Sequence, residues 1–204
     1  MITIIDYGVG NVQALANIYK RLEIPCVQAK SAAELAGASH IVLPGVGAFD
    51  WAMARLQASG MREALDELVQ VQQKPVLGIC VGMQMMAGGS DEGQLPGLAW
   101  FDAHVRRFDE TRFTSRTHLP HMGWNDVEPE RPCDLLRELG EEARFYFLHS
   151  YYFAARDQTD ILATTMYAER FACAVRRGNV YGVQFHPEKS HGWGIQLLKN
   201  FAGL

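Results

Sequence analysis

The chain lacks long apolar segments, runs of lysine and arginine, and closely spaced cysteines. Each shortage removes a class of function. A membrane span needs about 20 consecutive apolar residues, and no such stretch occurs. Met1 leads directly into a strand pattern with no basic region ahead of a long apolar one, so neither secretion nor a membrane span is expected and the cytoplasm is the default. The net charge of -4 and the short basic pairs Arg106-Arg107 and Arg176-Arg177 do not make a nucleic-acid track, and the pairs are expected on solvated faces. Cys26, Cys80, Cys133 and Cys173 are too scattered for a zinc site or a disulfide framework and read as reduced thiols. HExxH and CxxC spacings are missing, so no metal or cofactor site is expected. Repeats and low-complexity segments are missing too, and 204 residues suit one domain, 1–204, with a sizeable core.

What stands out is residues 75–84, Pro-Val-Leu-Gly-Ile-Cys-Val-Gly-Met-Gln. They read as a buried strand that ends in a sharp turn carrying Cys80 and passes directly into a helix. Gly-x-Cys-x-Gly has the form of a nucleophile elbow, because small residues on either side let strand and helix approach while the turn presents the reactive side chain. A helix N-terminus favours thiolate over thiol, and its N–H groups can receive an oxyanion. A buried, inert cysteine after an apolar run fits the same five residues.

Around this stretch the pattern is strand, helix, strand, helix. Strands are expected at 2–5, 25–29 and 40–43. A helix after residue 11 places Val12, Leu15, Ile18, Tyr19 and Leu22 on one side, a small helix lies near 32–35, and a long one runs from 51 to about 73, interrupted at Gly60. Right-handed crossovers then imply a parallel sheet. The glycine-rich turn 6–11 lacks Gly-x-Gly-x-x-Gly spacing and a Gly-Lys-Ser/Thr ending, so a tight turn at a subunit surface fits better than a nucleotide site. Pro44-Gly45-Val46-Gly47 lies at a strand's carboxyl end, where open parallel sheets carry their sites; an ordinary turn reads equally well. Beyond the glycine-rich region 88–97, strand-like alternation at 103–108, a polar turn at 109–117, a loop at 121–125 and a short helix at 135–139 are expected. Strands at 144–152, 161–167, 171–176 and 180–185 and a helix at 194–201 complete the chain. The expected class is α/β, a three-layer open sheet, mostly parallel with an antiparallel extension. Trp124 reads either as core or as interface.

Cys80, His186 and Glu188 each fall at or just after an expected strand end. A thiolate nucleophile needs a base to carry its proton, and the base needs an acceptor that fixes its tautomer. Histidine and carboxylate two residues apart across Pro187 can supply both, with the proline stiffening the turn. His149 competes for the base role. Together these groups read as acyl transfer through a thioester.

Gly78-Ile79-Cys80-Val81-Gly82-Met83-Gln84 with His186-Pro187-Glu188 resembles the signature of class I, triad-type glutamine amidotransferases. With Pro44-Gly45-Val46-Gly47, His121-Met122-Gly123-Trp124-Asn125 and residues 147–152, essentially the whole chain is similar to the glutaminase subunits of imidazole glycerol phosphate synthases. The resemblance implies that Cys80 attacks the side-chain amide of glutamine, His186 serves as base and then acid, and Glu188 orients His186. It implies an oxyanion hole from the amides of Val81 and Val46, and contacts to the amino-acid end of glutamine from Gln84, Glu92, Ser150 and Tyr151. It also implies a heterodimer with a (β/α)8-barrel synthase subunit, contacted through Asn11, Trp124 and Lys189, which uses the ammonia to make imidazole glycerol phosphate and aminoimidazole carboxamide ribotide in histidine biosynthesis.

Val81 stands where leucine is usual in the family. Residues 100–103, 107–109 and 189–194 look like a paralogous branch that amidates sugars for surface polysaccharides, which leaves that acceptor as the alternative. A non-catalytic interaction subunit of the same fold is the alternative of another class, and the intact Cys80, His186 and Glu188 argue against it.

Overall fold

A computed structural model describes residues 1–114, 117–140 and 142–204. In chain order the elements begin with β1 (Ile2–Ile5), α1 (Val12–Arg21), β2 (Cys26–Ala29), α2 (Ala32–Leu35), β3 (His40–Gly45), α3 (Phe49–Ala58), α4 (Arg62–Asp66), β4 (Val76–Cys80) and α5 (Val81–Gln84). There follow β5 (Ala103–Arg107), β6 (His121–Asp126), β7 (Glu128–Pro129), β8 (Arg144–His149), β9 (Tyr151–Ala155), β10 (Ile161–Tyr167), β11 (Glu169–Arg177), β12 (Val180–Val183) and α6 (His191–Ala202). Among the described residues no helix is long and apolar enough to cross a membrane.

The main sheet runs β2-β1-β3-β4-β12-β11-β10-β7. Its first five strands are parallel, and β11, β10 and β7 continue it antiparallel. β9 and β5 branch from β11. β4 is apolar throughout and buried along its whole length, as a parallel strand covered on both faces must be. Helices pack in pairs around the sheet, α1 with α6 and α2 with α4. α1 is held by Val12, Leu15, Ile18 and Tyr19, all buried at helical spacing, and Lys20 and Arg21 in its last turn complement its dipole. This is the expected mostly parallel α/β sheet with its antiparallel extension.

The expected long helix at 51–73 is divided at Gly60, whose φ of +69° belongs to the left-handed region. Nothing lies within 4 Å of a Cβ built there, so conformation and not space selects glycine. α4 continues into a π-helical turn, Glu67–Val71. The expected helix at 135–139 is a single 3-10 turn, Asp134–Leu136. In the polar turn 109–117, Asp109 caps a 3-10 turn at Glu110–Arg112; its residues 115 and 116 lie outside the described residues.

Two expectations need correction. Residues 121–125 are not a loop but strand β6, paired antiparallel with β8 in a separate two-stranded sheet. Its alternation is inverted: His121 is buried while Met122 is 58% and Trp124 38% exposed. A strand that points polar groups inward and apolar groups outward does not show the usual signal. The run 144–152 is not one strand either. It breaks at Ser150 into β8 and β9, which belong to different sheets. Phe145 and Phe147 of β8 pack on Phe185, at ring distances of 4.0 and 5.6 Å, and tie the small sheet to the large one.

A Cβ on Gly82 would collide with the carbonyl oxygen of Leu43 in β3. Gly82→Ala is therefore expected to cost about 1–3 kcal/mol or more by overpacking, lowering Tm by about 2–4 °C per kcal/mol in a chain of this size. Gly192→Ala, where a Cβ meets nothing within 4 Å, should leave Tm unchanged or raise it. Thermal melts of both variants check the contrast.

Candidate active site

The position of Cys80 is made by backbone. β4 ends at Cys80, whose φ of 55° and ψ of -113° are strained for a residue with a side chain, and α5 starts at the next residue. Three glycines allow that turn. A Cβ on Gly78 would sit 2.7 Å from the carbonyl oxygen of Gly82, one on Gly82 would strike Leu43, and one on Gly45 would strike the nitrogen of Gly82. Gly45 lies opposite Cys80 in the β3–β4 register, so the loop after β3 adjoins the turn. Tyr7 donates to the carbonyl oxygen of Pro44 at 2.7 Å and so fastens that loop to the turn after β1.

The histidine arrives on the other side. β12 pairs with β4, Val183 opposite Ile79, and the chain then turns through Gln184 and His186, both buried. His186 Nδ1 lies 2.9 Å from Glu188 Oε1, and the ring lines the same cavity as the Cys80 side chain. Pro187 opens a 3-10 turn, Pro187–Lys189. Ser190 Oγ closes it by donating to the carbonyl oxygen of His186 at 2.6 Å while accepting from the N–H of Tyr146 at 3.0 Å. The N–H of His186 donates back to the Tyr146 carbonyl oxygen at 2.9 Å. Strand β8 thus holds the histidine turn through two bonds, both made by the Tyr146 backbone. Burial opposes a charge on His186, but its contacts with Cys80 and Glu188 outweigh it and raise the pKa to about 10.

A cavity of about 280 Å³ opens beside Cys80. Val46, Val81, Gln84, Glu92, Ser150, Tyr151, His186 and Lys189 line it, with Gly47, Pro120, Leu148 and His149. Gln84 is buried and donates through Nε2 to the Tyr151 carbonyl oxygen at 3.1 Å and to Gln184 Oε1 at 3.0 Å. Glu92 Oε2 accepts from the N–H of Phe49 at 2.9 Å, so this carboxylate sits at the N-terminus of α3, where the helix dipole favours it. Val46 is exposed and Val81 buried. A larger cleft of about 680 Å³, between 129–137 and Arg176, contains none of these groups. Among the described residues no group of His, Cys, Asp and Glu side chains could hold a metal ion.

Asn11 and Trp124 do not line the cavity. Trp124 lies face-on to His191 at 5.2 Å and edge-on to Tyr146 at 6.3 Å, and Lys189 Nζ stands 5.5 Å over the Tyr146 ring. The core reading of Trp124 therefore gives way to a surface aromatic cluster beside the cavity. Asn11 is exposed at the start of α1, one residue after Gly10, which packs on Pro44.

His149 is engaged elsewhere than at Cys80. Its Nδ1 is 2.7 Å from the Tyr151 carbonyl oxygen and its Nε2 is 3.1 Å from His121 Nδ1. Burial lowers the pKa of His149 to about 3 and that of His121 to about 4, the two rings also opposing charge on each other at His149. Sequence reasoning passed over Gln184, whose Nε2 lies 3.7 Å from Cys80 Sγ. Its position two residues before His186, on the same side of an extended segment, was the available signal.

A strained cysteine at a helix N-terminus, a buried histidine bonded to a carboxylate and a cavity lined by both define a thiol hydrolase or acyl-transfer centre. The sequence profile of the family "Glutamine amidotransferase class-I" matches residues 3–203, and the chain belongs to that family. It is 59% identical over 204 residues, covering all of both chains, to imidazole glycerol phosphate synthase subunit HisH of Bdellovibrio bacteriovorus. It is 46% identical over 204 residues, again all of both chains, to the protein of the same name from Leptospira interrogans. A crystal structure of a glutamine amidotransferase, 19% identical, shares its fold with a TM-score of 0.76 over 100% of this chain and 99% of that one.

With its pKa raised to about 10, His186 should remain an imidazolium at pH 8, which its 15N shifts report; Glu188→Gln should lower the midpoint. The sign for stability follows by linkage. Between the ordinary value near 6.5 and about 10 the folded chain holds a proton that the unfolded chain has lost. This contribution is complete below pH of about 6.5 and falls away as pH rises toward 10. His186→Gln should lack that part of the stability–pH slope in denaturant titrations.

Proposed function

We propose that the 204 residues form one glutaminase domain, the glutamine-hydrolysing subunit of an imidazole glycerol phosphate synthase. The observation that carries the reading is the Cys80–His186–Glu188 contact set at the wall of a cavity sized for a small amide, in a chain 59% identical to such a subunit.

The nucleophilic form of cysteine is the thiolate. The Cys80 sulfur attacks the side-chain carbonyl carbon of glutamine, and the carbonyl oxygen takes the negative charge. N–H donors at such a position are worth about 2.7–4 kcal/mol in hydrolases. Val81, in the first turn of α5, and Val46, in the loop beside it, are the proposed donors. The His186 imidazolium gives its proton to the amide nitrogen, the C–N bond breaks and ammonia leaves, with a glutamyl thioester on Cys80. Water then attacks the thioester carbon while neutral His186 takes its proton; the C–S bond breaks, glutamate leaves and Cys80 and His186 return to their starting forms. Glu188 fixes the ring by accepting at Nδ1, so Nε2 is the nitrogen that works. Glu92 suits the ammonium group of glutamine, and Gln84, Ser150 and Tyr151 its carboxylate.

Ammonia released to water is lost as ammonium, so the product must pass directly to an acceptor. The proposed partner is a (β/α)8-barrel synthase subunit seated on the face that presents Asn11, Trp124 and Lys189. It uses the ammonia to form imidazole glycerol phosphate and aminoimidazole carboxamide ribotide in histidine biosynthesis. The synthase names of the relatives decide the pathway over sugar amidation.

Cys80→Ala in the assembled complex should reduce glutamine hydrolysis to background while synthesis from ammonium chloride continues. Loss of ammonium-dependent synthesis from an intact complex would refute this division of labour. Adding the barrel and its nucleotide ligand to the isolated chain should raise glutaminase turnover by orders of magnitude, and a high basal rate would sink the coupling. Synthesis with a sugar acceptor but not with the histidine-pathway precursor would reassign the pathway.

A further inference from the structure

We propose that His121 and His149 are positioning residues for glutamine: they carry a one-directional chain of hydrogen bonds from strand β6 to the Tyr151 carbonyl oxygen in the cavity wall. The proposal rests on the glutaminase reading above. The direction is forced at the cavity end, because a carbonyl oxygen can only accept. His149 Nδ1, 2.7 Å from it, must carry a proton, which leaves Nε2 of the neutral ring as an acceptor. His121 Nδ1, 3.1 Å away, must then donate. His121 Nε2 accepts in turn from Asn125 Nδ2 at 3.3 Å, and the second hydrogen of that amide goes to the Met166 carbonyl oxygen at 2.9 Å. Asn125 Oδ1 accepts from the N–H of Asp126 at 2.9 Å, which agrees with this orientation of the amide. Protonating either ring would set two N–H groups against each other. The low pKa values of both histidines, which arise from burial, agree with that bar.

The far end of the chain bears on the substrate. Gln84 donates to the same Tyr151 oxygen and reaches Gln184, which contacts Cys80. Ser150, between His149 and Tyr151, is the corner at which the chain leaves one sheet for the other. The His149 ring bridges that corner from residue i to the carbonyl of i+2 and so sets the shape of the wall. At the near end, the His121 ring is clamped between Phe147 at 4.8 Å and Tyr167 at 3.9 Å, both within 20° of parallel. Asn125 follows Trp124 on β6, so a partner that moves this strand moves the chain of bonds.

The test uses the complex with the barrel subunit. His121→Phe keeps the stacked ring and removes both nitrogens, and should raise KM for glutamine about fivefold or more with kcat changed less than about threefold. His121→Asn restores a donor near Nδ1 and should bring KM back to within about twofold. An unchanged KM in the phenylalanine variant, a fall in kcat alone, or no recovery with asparagine overturns the proposal. Two-bond 15N–1H spectra of the unmodified complex provide a measurement that needs no variant: both rings should be neutral with the proton on Nδ1, and a proton on Nε2 or a charged ring overturns the chain. Absence of glutamine hydrolysis in the unmodified complex would instead refute the glutaminase reading, and the ring spectra would still decide the bonds.

Discussion

Where β3 passes under α5, two stretches of backbone meet with no side chain between them. The Leu43 carbonyl occupies the place of a Gly82 Cβ, and the Gly82 nitrogen that of a Gly45 Cβ. The site depends on this contact. It brings the loop carrying Val46 beside the helix start carrying Val81, and it allows Cys80 a backbone conformation that costs about 1–3 kcal/mol. Such strain persists only where the surroundings over-determine it, and here a parallel strand on each side of β4 supplies the restraint. The thiol's position is thus set by main-chain sterics, which side-chain repacking elsewhere disturbs little.

Two buried histidines, His149 and His186, line the cavity beside that thiol and a third, His121, contacts His149; burial pushes each toward neutrality. Only His186 escapes, because a carboxylate and a sulfur face it, and its pKa rises to about 10. His121 and His149 face each other and amide or carbonyl groups, and stay at about 4 and 3. In the proposed mechanism one residue type therefore supplies a proton carrier and two fixed struts. A strut that cannot take up a proton also cannot compete with His186 for the proton of the proposed reaction. The partners of each ring decide its role, not depth in the protein.

The sequence made the elbow legible because its glycines are spaced by the steric demands of the turn, and made the His-Pro-Glu segment legible because the interacting groups are two residues apart. The parallel sheet followed from apolar runs and helical spacing. Strand β6 was hidden by its inverted pattern, and Ser150 hid the break between β8 and β9 inside an otherwise continuous aromatic run. Gln184 and Ser190 have ordinary compositions and take their roles from what approaches them in space: Ser190 from Tyr146 on β8, Gln184 from Gln84 on α5. Of the two partners in the His121–His149 contact, 28 residues apart, neither announces the other without the register of the small sheet.

That small sheet explains how a surface and the turn bearing His186 can share one support. Two strands alone are marginal, so β6 and β8 depend on packing against Phe185 and on the bonds between Tyr146, His186 and Ser190. Tyr146 has two sides to its role. Its backbone holds the turn that bears His186, while its ring lies under Lys189 and against Trp124 at the surface. A body seated on Trp124 and Lys189 would press on the strand that orients the histidine, and through β6 on the bonds that shape the cavity wall. The contact is short because both functions draw on the same hydrogen-bonded strand pair, and no rearrangement of the central sheet is needed to connect them.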